Sequence, residues 1–71
     1  MAEEIKIHQA PIRLEQALKL ALAVQSGAEA KKLIQDGQVL VNGTVCRMRG
    51  KKLQEGDALK LFDQEWVIRE E

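Results

Sequence analysis

The chain has 71 residues, the size of one small domain, with no room for a second. Hydrophobic residues make up 45% and charged residues 31%, a globular balance, while aromatic residues make up only 3%, so the core must be aliphatic. Eleven Lys and Arg against eleven Asp and Glu give a formal net charge of zero. Taken as one number, this charge argues against a protein that binds polyanions.

The residue counts also restrict metal sites, disulfides and catalysis. Cys46 is the only cysteine and His8 the only histidine, so the sequence offers no intrachain disulfide, no zinc ligand set and no cofactor site. No third group is evident to orient a Cys46–His8 pair, so we predict that the protein is not an enzyme. The acidic first residues and the lack of an apolar run of about 20 residues predict neither a signal peptide nor a membrane span, hence a cytoplasmic protein.

The first half of the chain predicts a strand and a helix. Ile5-Lys6-Ile7 alternates apolar and polar side chains, as a short strand does, and Pro11 prevents its continuation. Apolar residues then recur at helical spacing and predict one buried stripe of a first helix. The stripe consists of Leu14, Ala17, Leu18, Ala21 and Leu22.

A second helix is predicted to start at Ser26-Gly27-Ala28-Glu29. This is a capping box, in which the serine hydroxyl accepts from the Glu29 amide and the glutamate carboxylate reaches back to the serine amide. Ala30, Leu33 and Ile34 supply the buried face, and Asp36-Gly37 ends the helix because glycine tolerates the left-handed conformation of a C-terminal cap. We expect only one or two residues between the two helices.

After Gly37 the apolar period changes from 3.6 to 2, which predicts strands. Residues 38–41 and 44–48 flank Asn42-Gly43, a strong signal for a tight hairpin because both turn residues accept positive φ. A further hairpin is expected to pair residues 58–62 with 65–69 around Asp63-Gln64.

Turns at Arg49-Gly50 and Glu55-Gly56-Asp57 bracket Lys51-Lys52-Leu53 between these hairpins. Trp66 alternates with Ile68 and is expected in the core. The predicted fold class is α+β, with a helical pair packed on a small, mostly antiparallel sheet.

The net charge of zero conceals an uneven distribution. Residues 31–52 hold six basic side chains and one acidic one, a net charge of +5, whereas residues 1–30 and 53–71 carry −1 and −4. If the first hairpin folds beside the second helix, the six cations converge on one patch that binds the phosphate backbone of a nucleic acid. The scarcity of aromatic rings favours structured RNA over an unpaired strand. The six cations are Lys31, Lys32, Arg47, Arg49, Lys51 and Lys52.

Residues 26–43 resemble the core of the S4 RNA-binding domain family. The shared signature runs from the helix-capping Ser26 through an alanine and Leu33-Ile34 to Gly-x-Val-x-Val-Asn-Gly at residues 37–43. The continuation through Arg47, the Arg49–Leu53 segment and Glu55-Gly56-Asp57 is similar to the small stand-alone bacterial S4-like proteins of the YaaA/YbcJ type. The resemblance covers residues 12–69.

This resemblance implies the αL motif of that family, in which the second helix and the adjacent loop and hairpin bind ribosomal or transfer RNA. It points to these RNA-contacting candidates: Lys31, Lys32, Arg47, Arg49, Lys51 and Lys52, with Ser26 and Gln25 near the helix start as lesser ones. Gly27 stands where many S4 domains have a basic residue. Met48 stands where the small proteins often have Arg, and Cys46 where an acidic residue is common.

The sequence therefore predicts one S4-like RNA-binding domain over residues 1–71 that acts as a monomer. Its expected partner is structured ribosomal or transfer RNA, or a ribosomal subunit, in ribosome assembly or translation. Two other functions stay open. The helix pair could form a helix-turn-helix that reads DNA. Alternatively, the acidic residues 53–71 could dock a basic protein such as a ribosomal protein.

Overall fold

Seven strands and two helices make up residues 2–71, the part of the chain that the computed structural model describes. The helices follow each other between the second and third strands. In chain order the elements are β1 (Glu3–Ile7), β2 (Ile12–Arg13), α1 (Leu14–Leu20), α2 (Gly27–Gln35), β3 (Val39–Val41), β4 (Thr44–Val45), β5 (Lys52–Leu53), β6 (Ala58–Leu61) and β7 (Gln64–Glu70).

Five of the strands form one sheet in the order β1-β7-β6-β3-β4. Neighbours in this sheet are antiparallel except β1 and β7, which run parallel with Glu3 opposite Trp66. The remaining strands form a separate antiparallel pair, with Ile12 of β2 opposite Leu53 of β5. The predicted α+β class with a mostly antiparallel sheet is confirmed.

One aliphatic core joins both helices to the sheet. Leu14, Ala17 and Leu18 are buried in α1, and Ala30 and Ile34 are wholly buried in α2. Alternate residues of the strands complete the cluster, as expected for strands with one buried face. Trp66, in β7, is 3% exposed, which confirms the prediction that it belongs to the core.

The end of α1 differs from the prediction. Leu22 has φ 59 and is 88% exposed, so its place on the buried stripe is wrong, and Val24 is buried instead. The amides of Leu22 and Ala23 donate to the carbonyls of Lys19 and Leu18, the pattern of a Schellman cap. A leucine in the left-handed position of this cap directs its side chain into solvent. Six residues, 21–26, therefore connect the helices, rather than one or two.

The end of α2 has the same Schellman cap, with the predicted glycine in the left-handed position. Gly37 has φ 78, and the amides of Gly37 and Gln38 donate to the carbonyls of Ile34 and Leu33. The chain then passes directly into β3. The predicted end of the second helix at Asp36-Gly37 is confirmed.

Both predicted hairpins form, with adjusted limits. Asn42 and Gly43 occupy the β3–β4 turn at φ 52 and 84, but β4 ends at Val45 and not at residue 48. The last hairpin turns at Phe62-Asp63, one residue earlier than predicted, because Phe62 takes a left-handed φ of 55. Within residues 2–71, neither helix has the length and apolar character needed to cross a membrane.

Candidate nucleic-acid interface

The start of α2 holds the two lesser candidates, Gln25 and Ser26. Ser26 is the N-cap, and its Oγ accepts a hydrogen bond from the Glu29 amide at 3.2 Å, as predicted. The Glu29 carboxylate accepts from the Gln25 amide at 2.8 Å, so the predicted return bond to the Ser26 amide is displaced by one residue. The amides of Gln25 and Glu29 are thus bonded within the chain, and Gln25 and Ser26 offer a ligand their exposed side chains.

Lys31 and Lys32 lie on the outer side of α2. Both are exposed, whereas Ala30 and Ile34 on the other side of the helix are wholly buried. Leu33 is half-buried and packs against the core. Because successive helical residues point about 100° apart, two adjacent lysines on this side keep both amines in solvent. This face of α2 is therefore available to an anionic ligand.

Arg47 lies across the end of α2. A Cβ added to Gly37 would be 2.8 Å from Arg47 Nη2, so the guanidinium covers the glycine of the C-terminal cap, two residues beyond the last helical residue. The carbonyl end of a helix attracts cations, which favours this position. The contact ties the β4–β5 loop (residues 46–51) to α2, as the predicted convergence of the basic residues requires.

The rest of the β4–β5 loop packs on the start of α1. The carbonyl of Lys51 accepts from the Leu14 amide at 2.8 Å, and the carbonyl of Arg49 accepts from the Glu15 amide at 3.2 Å. The loop thereby satisfies amides of the first helical turn that have no partner within the helix. Its backbone is fixed there, while the side chains of Arg49 and Lys51 stay exposed.

Within residues 2–71, none of the six cations of residues 31–52 forms an ion pair. The ion pairs of the described chain are Lys6 with Glu71, Lys60 with Glu65, and Arg69 with Glu4. All of them join side chains of β1, β6, β7 and the residue after β7. The positive charge of residues 31–52 is therefore not neutralised by neighbouring carboxylates and can attract phosphate.

The structure places the six cations in two neighbourhoods, joined by the β4–β5 loop. Lys31, Lys32 and Arg47 lie along α2 and its end, and Arg49, Lys51 and Lys52 lie beside the start of α1. Convergence of all six on one ligand stays a prediction, as do contacts from Gln25 and Ser26.

Two further cations adjoin these neighbourhoods and were missed as site residues. Arg13 of β2 stands directly opposite Lys52 of β5, and Lys19 Nζ is 3.5 Å from the place of a Cβ on Gly27, at the start of α2. No local sequence pattern predicts the β2–β5 pair, because it joins distant parts of the chain, and the position of Arg13 beside Lys52 depends on this pair. The position of Lys19 depends on how α1 packs on α2.

Comparison with known proteins identifies the family of the chain. The model of the S4 domain family matches residues 5–69. A relative named "Probable ribosome maturation protein RlbA" from Bacillus subtilis (strain 168) is 43% identical over 61 residues, which cover 86% of this chain and 86% of the relative. The resemblance seen in the sequence is confirmed. The chain belongs to the S4 domain family.

Proposed function

We propose that this protein is a non-catalytic RNA-binding protein that binds structured ribosomal RNA, free or in a ribosomal particle, during ribosome maturation in the bacterial cytoplasm. The observation that carries the proposal is the set of six exposed cations in residues 31–52, none of them ion-paired within residues 2–71. Membership of the S4 domain family and similarity to a protein named for ribosome maturation support it.

The side chains present favour recognition of the RNA backbone and shape. Lysine and arginine neutralise phosphates and release counterions, which gives an affinity that falls steeply with salt. Proteins that bind unpaired strands stack bases on several exposed rings, but Trp66 is buried here, which leaves Phe62, 62% exposed, as the single ring of the sequence that could stack. A structured RNA, bound by a monomer along α2 and the β4–β5 loop, fits these residues best.

Duplex DNA is the less favoured ligand. A helix-turn-helix inserts its second helix into the major groove and reads base edges from it. Here α2 has nine residues, is separated from α1 by six residues, and is followed closely by β3. Its outward charged side chains, Lys31 and Lys32, suit phosphate contacts better than base recognition.

The proposal is tested by titrating the full chain with fragments of ribosomal RNA and with purified ribosomal subunits at several salt concentrations. We expect affinity to fall linearly with salt on logarithmic axes, with a slope of about −0.9 for each phosphate contacted in a duplex. Lys31→Glu and Arg49→Glu should each weaken binding about tenfold at low salt, since each removes a phosphate contact and adds repulsion.

Lys60→Glu is the matched control, because it makes the same charge change at a lysine already paired with Glu65. It should leave RNA affinity within about twofold of wild type. Binding that does not respond to salt, equal losses in all three variants, or a preference for duplex DNA in competition would each contradict the proposal.

A further inference from the structure

An apolar groove opens along β4, at the basic side of the molecule. Its volume is about 340 Å³, and Val41, Val45 and Met48 contribute to its lining. Met48 is 68% exposed and Val45 is 44% exposed. Single exposed apolar side chains are common on protein surfaces, but these two share one concave site. The groove therefore offers an apolar ligand a place to bury surface.

The same groove has a cationic rim. Arg47 and Lys51 line it, and neither forms an ion pair within residues 2–71. A ligand that fills the groove should thus combine an apolar part with a negative charge. A nucleotide has both, because its base presents an apolar face and its phosphates carry the charge.

The edge of the sheet adds hydrogen-bonding groups. β4 is the outermost strand, and its register is fixed by Val41 opposite Thr44 and by the Cys46 amide, which donates to the Val39 carbonyl. Hydrogen-bonded and non-hydrogen-bonded pairs alternate along an antiparallel ladder, so the N–H and C=O of Val45 point away from β3. These two groups can pair with the donors and acceptors on the edge of a base.

We propose that this groove holds one unpaired nucleotide of the bound RNA, its base against Val45 and Met48 and its phosphates facing Arg47 and Lys51. A base within a duplex is stacked and paired and cannot enter, so the groove selects RNA with a bulged or looped-out nucleotide. The methionine thioether makes favourable contacts with aromatic rings, and arginine stacks on bases. This inference rests on the RNA-binding function proposed above and names the RNA feature recognised.

The test uses two RNA hairpins with the same stem, one fully paired and one with a single bulged adenosine, titrated with the full chain by fluorescence anisotropy. Wild type should bind the bulged hairpin about fivefold more tightly. Met48→Ser should abolish this preference and leave affinity for the paired hairpin unchanged. Val45→Thr keeps the β-branched shape of the residue and should reduce, without abolishing, the preference for the bulged hairpin.

Leu22→Asn is the matched control. Leu22 is 88% exposed and lines a depression beside β1, at the opposite edge of the sheet, and asparagine accepts its left-handed φ. This variant should keep the wild-type preference. If wild type binds both hairpins equally, with the expected salt dependence, the groove proposal is overturned and RNA binding stands. If it binds neither, nor any ribosomal RNA fragment, both proposals fail.

A second measurement follows the thiol of Cys46, which lines the groove, is half-buried and is the only cysteine. Saturating bulged hairpin should slow its alkylation by iodoacetamide severalfold more than saturating paired hairpin does. Poly-L-glutamate at the same charge concentration tests an acidic protein segment as the occupant. Protection by poly-L-glutamate equal to that by the bulged RNA would overturn the assignment to a nucleotide.

Discussion

The two outer edges of the five-stranded sheet differ in whether their basic side chains have carboxylate partners. At the β1 edge, Arg69 Nε is 2.8 Å from a Glu4 carboxylate oxygen, and Lys6 Nζ is 3.6 Å from one of Glu71. Beside the β4 edge, Arg47, Arg49 and Lys51 of the β4–β5 loop have no carboxylate partner within residues 2–71. The sequence has as many acids as bases, so the difference reflects placement and not supply. Unpaired cations on one surface repel one another, so the binding of an external anion lowers the free energy of that surface.

The largest expected effect comes from reversing two unpaired cations and, for comparison, two ion-paired ones. Lys51→Glu with Lys52→Glu should weaken RNA binding about 100-fold at 0.1 M salt, because two phosphate contacts become repulsive. The free energy of unfolding should stay equal or rise, since residue 52 faces Arg13 and the new pair is of opposite charge. Anisotropy titrations and urea unfolding measure the two quantities on the same samples.

The matched double variant, Lys60→Glu with Arg69→Glu, should behave in the opposite manner. It places like charges beside Glu65 and Glu4, so the free energy of unfolding should fall by about 1 kcal/mol. RNA affinity should change by less than about threefold, which reflects the altered net charge alone. Equal RNA losses in the two doubles would contradict the distinction between unpaired and ion-paired cations.

A smaller effect is expected from two glycines of the basic side. Gly37→Ala and Gly43→Ala each force alanine into a left-handed φ, 78 and 84, and should each cost about 1 kcal/mol of unfolding free energy. A Cβ at Gly37 also meets Arg47 Nη2 at 2.8 Å, whereas nothing lies within 4 Å of one at Gly43. The guanidinium swings away easily, so this contact should change RNA affinity more than stability.

We therefore expect Gly37→Ala to weaken RNA binding about threefold to tenfold relative to Gly43→Ala at equal stability loss. Gly50→Ala is the common control, because nothing lies within 4 Å of its Cβ and no left-handed φ is required. If Gly37→Ala and Gly43→Ala bind RNA alike, Arg47 does not act from its position over the end of α2.

The smallest effect is expected from neutralising one cation, either an unpaired one or an ion-paired one. Lys52→Gln relieves a like-charge pair directly across β2 and β5 and should raise the free energy of unfolding by a few tenths of a kcal/mol. Arg69→Gln removes an exposed ion pair and should lower it by about 0.5 kcal/mol. Urea midpoints at 0.05 M and 1 M salt check both, since high salt should shrink each difference. Two changes of the same sign would contradict the comparison.

Features with a local cause could be predicted from the sequence. The Ser26 cap, the end of α2 at Gly37 and the Asn42-Gly43 turn each depend on residues a few positions apart, and each forms as expected. The same chemistry explains the main error, at the end of α1. That helix ends in the same kind of cap as α2, but Leu22 occupies the position that glycine holds in α2, and its side chain gives no signal of a turn.

Features that join distant segments could not be predicted. β1 and β7 each show the alternation of a strand, but nothing in either segment indicates that they pair in parallel. β2 and β5 have two residues each and are too short to show a period. The uneven charge was visible in the sequence, and so were the six cations. Their division between α2 and the start of α1, and the nearness of Arg13 to Lys52, follow from the β2–β5 pair and became visible only in the folded chain.

The parallel pairing of β1 with β7 restricts the order in which the elements of the fold can form. Each residue of β1 pairs with one 63 positions later, as position 3 does with position 66. Closing so long a loop costs more entropy than forming the helices or hairpins, and such contacts slow folding. During synthesis β1 stays unpaired until β7 has been made. Trp66, the only tryptophan, lies on β7 between β1 and β6 and is buried, so its fluorescence should change as the core forms around β7.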